Sequence, residues 1–286
     1  MTLRSLPEIF RTLFVAFAAV FVFAFASLAQ MGQSPQNSAP QVNQVNAMQQ
    51  QLSLLTDVQK RSSLKIDPRE QTAYDNFFKV GPENPDKKIQ LGHDFLAKYP
   101  ASIFAGAVES GLVTAYYAKQ DWNNFYASAD KALAIRPDDV DVLTTVGWVI
   151  PHIYNPSDPD ADKQLDKAET YAKHAIVVLE KMPKPKDVTD AQFAASKAQK
   201  SSQVHSALGL VYFRRSDFEN SAKELQQATQ STPTPDQADL FVLGIDLERL
   251  NRFGEAAGAF DRCSLAPGGL QDRCKQNEAE AKKQVK

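Results

Sequence analysis

Apolar and polar positions fall into three regimes along the chain. Residues 12–29, TLFVAFAAVFVFAFASLA, form an uninterrupted apolar stretch. Residues 30–50, QMGQSPQNSAPQVNQVNAMQQ, are rich in Gln, Asn, Ser and Pro and lack apolar periodicity. Such a segment buries too little surface to offset the entropy of ordering it, which predicts a disordered linker running over 30–66. From about residue 70 onward, apolar residues recur at intervals of three and four, the spacing of amphipathic helices. Alternating β-branched runs with hairpin turns are missing. Pro- and Asp-rich punctuation (GPENPD, YPAS, RPDD, NPSDPD, MPKPKD, TPTPD, APGG) marks short connections at fairly even distances. The pattern predicts an all-α fold of many short helices stacked in pairs.

The most regular stretch is residues 207–233, ALGLVYFRRSDFENSAKELQQATQSTP. Leu208, Gly209 and Tyr212 belong to a first helix, and Asp217 and Phe218 open a second. Ser221, Leu225 and Ala228 follow at helical spacing, and Pro233 stops the helix. This order resembles the tetratricopeptide repeat, two antiparallel helices of about 34 residues with the pattern L-G-x2-Y, A-x3-F and a closing Pro. In that resemblance Gly209 and Ala228 let two helix backbones approach, while Tyr212, Phe218 and Leu225 fill the space between them.

Further copies follow the same order with departures. Downstream, Leu243-Gly244 and Leu247 precede Phe253, Ala256, Phe260 and Cys263, and Pro267 arrives one residue early. Upstream, Leu112-Val113 and Tyr116 precede Asp121-Trp122, Ala129, Ala132 and Pro137, with Val113 in the Gly position and Phe125 in the first Ala position. Between these lies a stretched copy. Val146-Gly147 and Ile150 begin it, HIYNPSDPDAD lengthens its turn, and Leu165, Ala168, Ala172 and Ala175 end it. A degenerate pair, TAYDNFFKV then DKKIQLGHDFLAKYP, precedes them all. The resemblance implies a right-handed superhelical solenoid of about five helix pairs over 67–286. The polar end GLQDRCKQNEAEAKKQVK is then a C-terminal capping helix.

The first 29 residues read as a targeting segment. Arg4 and Arg11 give a positive start, and Ser27-Leu28-Ala29 places small residues at the −3 and −1 positions of a cleavage signal. The reading is a signal peptide cut after Ala29. The alternative is an uncleaved membrane tether through residues 12–29, which is near the lower length limit for a span. Either way the remainder is expected in the periplasm or secreted, or anchored to the inner membrane facing the periplasm. No Cys follows the apolar run, which removes a lipoprotein anchor. The net charge of −2 gives no clustered basic excess of the kind a nucleic-acid partner requires. In an oxidising compartment the two cysteines, Cys263 and Cys274, read as a disulfide.

Reactive chemistry is sparse. His93, His152, His174 and His205 are scattered, without a partner at metal-ligand spacing on the same helix. There is no G-x-S-x-G, P-loop, H-E-x-x-H or S-x-x-K motif. The expectation is therefore no enzyme activity, no catalytic residue and no cofactor. One acidic stretch, DPDADKQLDKAE, sets Asp158, Asp160 and Asp162 in alternation with Glu169 eleven residues after Asp158, as in a calcium loop. Lys163 stands where such a loop turns on Gly, and Pro159 stiffens its start. The competing reading, which the expectation of no metal follows, is a turn that caps the helix beginning near Asp162.

A solenoid of this type offers a concave surface made by the first helix of each pair, suited to an extended peptide or a partner helix. Residues on those helices that the repeat does not spend on packing are Tyr117, Trp148, Phe213, Arg214, Phe241 and Ile245. Aromatics with an Arg are the composition of binding hot spots. Trp148 and Phe213 have the alternative role of packing between neighbouring repeats. The expected function is a non-catalytic interaction scaffold of the cell envelope with a protein or peptide partner. KKIQLGHDFLAKYP also looks like the helix and loop of envelope repeat proteins, which adds an assembly or secretion factor as a narrower reading. A subunit of an envelope enzyme complex is the third.

Overall fold

The computed structural model describes residues 66–266 and 268–285. The apolar segment 12–29, residues 30–65 of the expected linker, and Pro267 lie outside the described residues. Among those described, the chain forms eleven helices and no strand. They are α1 (Pro68–Phe78), α2 (Pro85–Lys98), α3 (Ala105–Lys119), α4 (Trp122–Ile135), α5 (Val140–His152), α6 (Ala161–Lys181), α7 (Asp190–Arg214), α8 (Phe218–Gln230), α9 (Gln237–Arg249), α10 (Phe253–Leu265) and α11 (Gln271–Gln284). The all-α expectation holds. Pro and Asp mark the starts as the sequence suggests: Asp67, Asp121, Asp217 and Asp236 each accept a backbone N–H of the following first turn. The 25-residue α7 is longer than any repeat helix predicts. Its first half, DAQFAASKAQKSSQ, is rich in Ala, Lys and Gln without Gly or Pro, so nothing stops helix growth upstream of the repeat.

Two compact units divide the chain. The first comprises the described residues up to Val146 and Lys173–Lys197; the second comprises Gly147–Ala172 and the described residues from Ala198. In the first unit, α1 packs on α2, α2 on α3 and α3 on α4. Phe77 is fully buried against the glycines of two helices, Gly92 on α2 and Gly111 on α3. Tyr74 stacks on Phe104 at 4.3 Å. In the second unit, α8, α9, α10 and α11 pack in succession around Leu225, Leu240, Leu243, Leu247 and Phe260.

Three turns share one construction. Gln120, Ser216 and Asn251 take the left-handed conformation, at φ 56°, 60° and 59°. The next residue's N–H reaches back across the turn: Asp121 to Tyr116 O at 3.1 Å, Asp217 to Tyr212 O at 2.9 Å, and Arg252 to Leu247 O at 2.8 Å. This is the Schellman closure of a helix end. Two of the following caps also match. Asp121 accepts from the backbone N–H of Asn124 and Asp217 from that of Asn220, each at 3.2 Å, and each Asn amide donates back at 2.7 Å. At the third turn Arg252 and Glu255 form a bidentate ion pair instead.

The turns set the register of the helices they join. Gly209 and Leu225 stand eight residues either side of Asp217; Gly244 and Phe260 stand eight either side of Arg252. A methyl placed on Gly209 would lie 2.5 Å from Leu225 Cγ, and one on Gly244 would lie 2.4 Å from the Phe260 ring. A large side chain from the second helix thus fills the space left by the glycine of the first. By the same count Val113 falls opposite Ala129, so the large and small partners are exchanged across that hairpin.

Gly244→Ala should destabilise the protein by about 1–3 kcal/mol through overpacking against a rigid ring. Gly147→Ala, whose nearest neighbours would be at 3.4 Å, should be neutral or stabilise by up to about 1 kcal/mol through helix propensity. Urea denaturation of both variants measures the contrast. Ser216→Gly should raise stability by about 0.5–1 kcal/mol, because relief of a left-handed non-glycine outweighs the added freedom of the unfolded chain; a lowered melting temperature would contradict it.

Candidate functional site

The six residues expected to face a partner divide between the units. Tyr117, near the end of α3 in the first unit, is half-buried. Its ring meets Trp122 edge-on at 6.1 Å and lies 6.4 Å from Phe125, and burial pushes its phenol above the usual range. Tyr126 beside Phe125 is pushed up to about 12 for the same reason. Half-buried rings thus surround the fully buried Phe125 at the α3–α4 turn.

The other five lie in the second unit. Trp148 is only 7% exposed. Its indole lies against the His152 ring one helical turn on, with centroids 3.8 Å apart, and the His152 Nδ1 is 2.6 Å from the Trp148 carbonyl. A carbonyl only accepts, so Nδ1 carries the proton. Burial is the main cause that lowers the His152 pKa to about 3, and nearby Arg214 lowers it further, so the ring is neutral at ordinary pH. Arg214 donates from Nε to the Pro151 carbonyl at 3.1 Å, and its guanidinium lies over Tyr154 at 5.6 Å. Arg214 therefore ties the end of α7 to the last turn of α5.

Phe241 is 1% exposed and packs on Phe260 at 5.8 Å. It belongs to the core, which takes it out of the set able to meet a partner. Phe213 and Ile245 are half-buried on that same core, and Phe213 meets Phe218 edge-on at 6.3 Å. The repeat pattern marks all these positions as free of packing. It does not register that a large side chain at a groove position folds inward when space lies beside it.

The acidic turn does not gather its carboxylates. Asp158 accepts from the Asn155 amide at 2.8 Å, Asp160 pairs with Lys163 at 2.8 Å, and Asp162 sits in the first turn of α6. Glu169 accepts from the Tyr212 hydroxyl at 3.0 Å and from Arg215 at 2.5 Å, and Arg215 also binds Asp166. Among the described residues no group of three or more His, Cys, Asp or Glu side chains could hold a metal ion. The remaining histidines bond between elements: His93 to the Tyr116 hydroxyl and His205 to Glu224 across helices, and His174 to Asp138 in the α4–α5 connection. Cys263 and Cys274 are bonded to each other.

Sequence reasoning missed a set of buried carboxylates. Asp246 on α9 is fully buried and takes a 2.5 Å hydrogen bond from Ser221. Burial pushes its pKa up to about 7, and the Ser221 hydrogen bond only partly opposes this. Asp239 is buried beside Ser206 at 2.8 Å, and burial and then Asp236 push its pKa well above the carboxylate range. Burial likewise raises Asp139, which accepts from Ser110 at 2.5 Å and pairs with Arg136 at 3.2 Å. Ser110 and Ser206 each precede their left-handed turn residue by ten positions, so both Ser–Asp bonds join the first helix of one pair to the start of the next. The available signal was Asp246, which stands where the preceding copy has the buried Val211.

No protein-family model matches the chain, and no curated protein matches it either.

A carboxyl whose pKa is raised on folding stabilises fully below its unfolded value and loses that contribution as pH rises through its folded value. Asp139, Asp236, Asp239 and Asp246 should therefore lower the melting temperature as pH rises from 4, while His152, depressed from 6.5 to about 3, raises it up to pH 6.5, so the net fall should show above pH 6.5. Asp246→Asn should flatten part of that slope and stabilise at pH 8 by on the order of 2–4 kcal/mol. Calorimetric melting across this pH range checks both.

Proposed function

We propose that the chain is a non-catalytic protein–protein interaction scaffold of the cell envelope. Its helix pairs are of the tetratricopeptide type, stacked as a right-handed superhelical solenoid ending in α11. The observation that carries this reading is the recurrence of one hairpin construction, in which a left-handed turn residue, its backbone closure and a small-against-large pair recur at fixed distances. A unit repeated for its shape suits an extended binding surface, because stacking identical pairs lines their first helices side by side. The partner is a peptide or helix of another protein. Phe213 and Ile245 are its anchors in the second unit, beside Arg214, which secures the end of α5, and Tyr117 holds the corresponding role in the first. The expectations of no enzyme activity and no cofactor are part of this proposal.

The envelope location rests on the apolar segment 12–29 with its small-residue end, and on a disulfide, which persists in oxidising compartments. Among the described residues no helix is long and apolar enough to cross a membrane. The resemblance of KKIQLGHDFLAKYP to envelope repeat proteins favours an assembly or secretion role as the narrower second reading.

Crosslinking in cells followed by mass spectrometry names the partner. Phe213→Ala with Ile245→Ala should then lower capture of that partner at least tenfold, with only a modest fall in melting temperature. Phe241→Ala should act the other way, costing about 3–5 kcal/mol of stability as a core truncation. Undiminished capture by the double variant would remove the second-unit surface from the proposal.

A further inference from the structure

We propose that the Cys263–Cys274 bond decides whether α11 closes the end of the second unit, so that the oxidised chain is sealed and the dithiol chain is open. Apart from the bond, α11 is held by little buried surface. Of its fourteen residues only Cys274 and Ala281 are buried. Four of its charged side chains pair within the helix, Lys282 with Glu278 at 2.5 Å and Lys283 with Glu280 at 2.6 Å, with Asp261 of α10 adding a charge interaction to Lys282, and an isolated helix of this length is marginal in water.

The seam beneath it is made of small side chains. Cys263 and Cys274 are joined with Cα atoms 5.7 Å apart. Two helical turns outward from that bond, Ala256 on α10 falls opposite Ala281 on α11, and both are fully buried. Side chains this small let the helices approach closely but remove little apolar area from water. The covalent bond supplies what the contact lacks. By loop-closure entropy, a bridge over this sequence separation favours the closed arrangement by about a hundredfold.

A second latch sits in the connection between α10 and α11. Gln237, 7% exposed at the start of α9, donates to the carbonyls of Cys263 and Ala266, each at 3.0 Å, and accepts from the Leu270 N–H at 2.9 Å. Gly268 leaves room for it, at φ 148°: a methyl there would lie 2.0 Å from Gln237 Oε1. Gln237 thus ties Cys263, Ala266 and Leu270 together.

Opening has a definite chemistry. A thiolate of an external dithiol attacks one sulfur of the pair and displaces the other as a thiolate, which takes up a proton. The reductant's second thiol then resolves the mixed disulfide, leaving a cyclic disulfide and two protein thiols. Both cysteines are fully buried, so attack requires the connection to open first, and the oxidised closure is long-lived. A chain that meets an oxidant only on leaving a reducing compartment carries an open end until then.

Hydrogen exchange on the full chain, oxidised and after reduction with dithiothreitol, tests the proposal. The doubly substituted Cys263→Ala, Cys274→Ala chain serves as a reagent-free equivalent. Amides of 271–284 should exchange at least tenfold faster in the reduced and substituted chains, with those of α8 and α9 unchanged. Gln237→Glu, which loses the amide donors, should speed reduction of the oxidised chain severalfold. Equal protection of α11 with and without the bond would overturn the proposal, and so would loss of protection across α8 to α11 together.

Discussion

Close approach of helix backbones, a glycine on one and a large side chain on the other, is the constraint on which the second unit depends. Gly209 receives Leu225 and Gly244 receives Phe260 at matched distances from their turns. The turn fixes the register and the register decides which residues meet. A hairpin with the wrong turn would set Leu225 or Phe260 against a residue with a side chain. The left-handed residues and their back-reaching N–H groups therefore belong to the packing as much as to the chain reversal. Such contacts are dense and short-ranged, so small volume changes are felt.

Polar groups inside the unit serve the same register. Ser206 with Asp239 and Ser221 with Asp246 join one helix to another by directional bonds that fix their relative position. A buried carboxyl satisfied by one hydroxyl is most stable when protonated, which makes this ordering dependent on pH. The small-residue seam of α10 and α11 is the opposite solution. Only Cys274 and Ala281 of α11 are buried there, and a covalent bond joins the two helices.

Much of the architecture was legible in advance because helices announce their ends. Asp- and Pro-rich punctuation marked the helix starts, and Asp121, Asp217 and Asp236 act as caps there, since a carboxylate beside unsatisfied N–H groups has few better conformations. The long α7 was not legible as one helix, because repeat spacing marks where packing occurs and is silent on how far propensity extends a helix. Nor were Gln120 and Ser216 legible as left-handed turns: glycine normally marks that conformation, and here the turn geometry imposes it on other residues.

By itself the sequence determined helical class, helix starts, the small and large positions of the repeated hairpin, and the poverty of reactive motifs. Each of these is a property of neighbours a few residues apart. Only the tertiary structure decided that Phe241 turns into the core while Phe213 and Ile245 stay half-open, that Arg214 secures the end of α5, and that Glu169 is engaged by Tyr212 and Arg215. Those outcomes depend on which distant side chain occupies the adjacent space. Local periodicity carries no record of that, because burial is settled between helices and not along one.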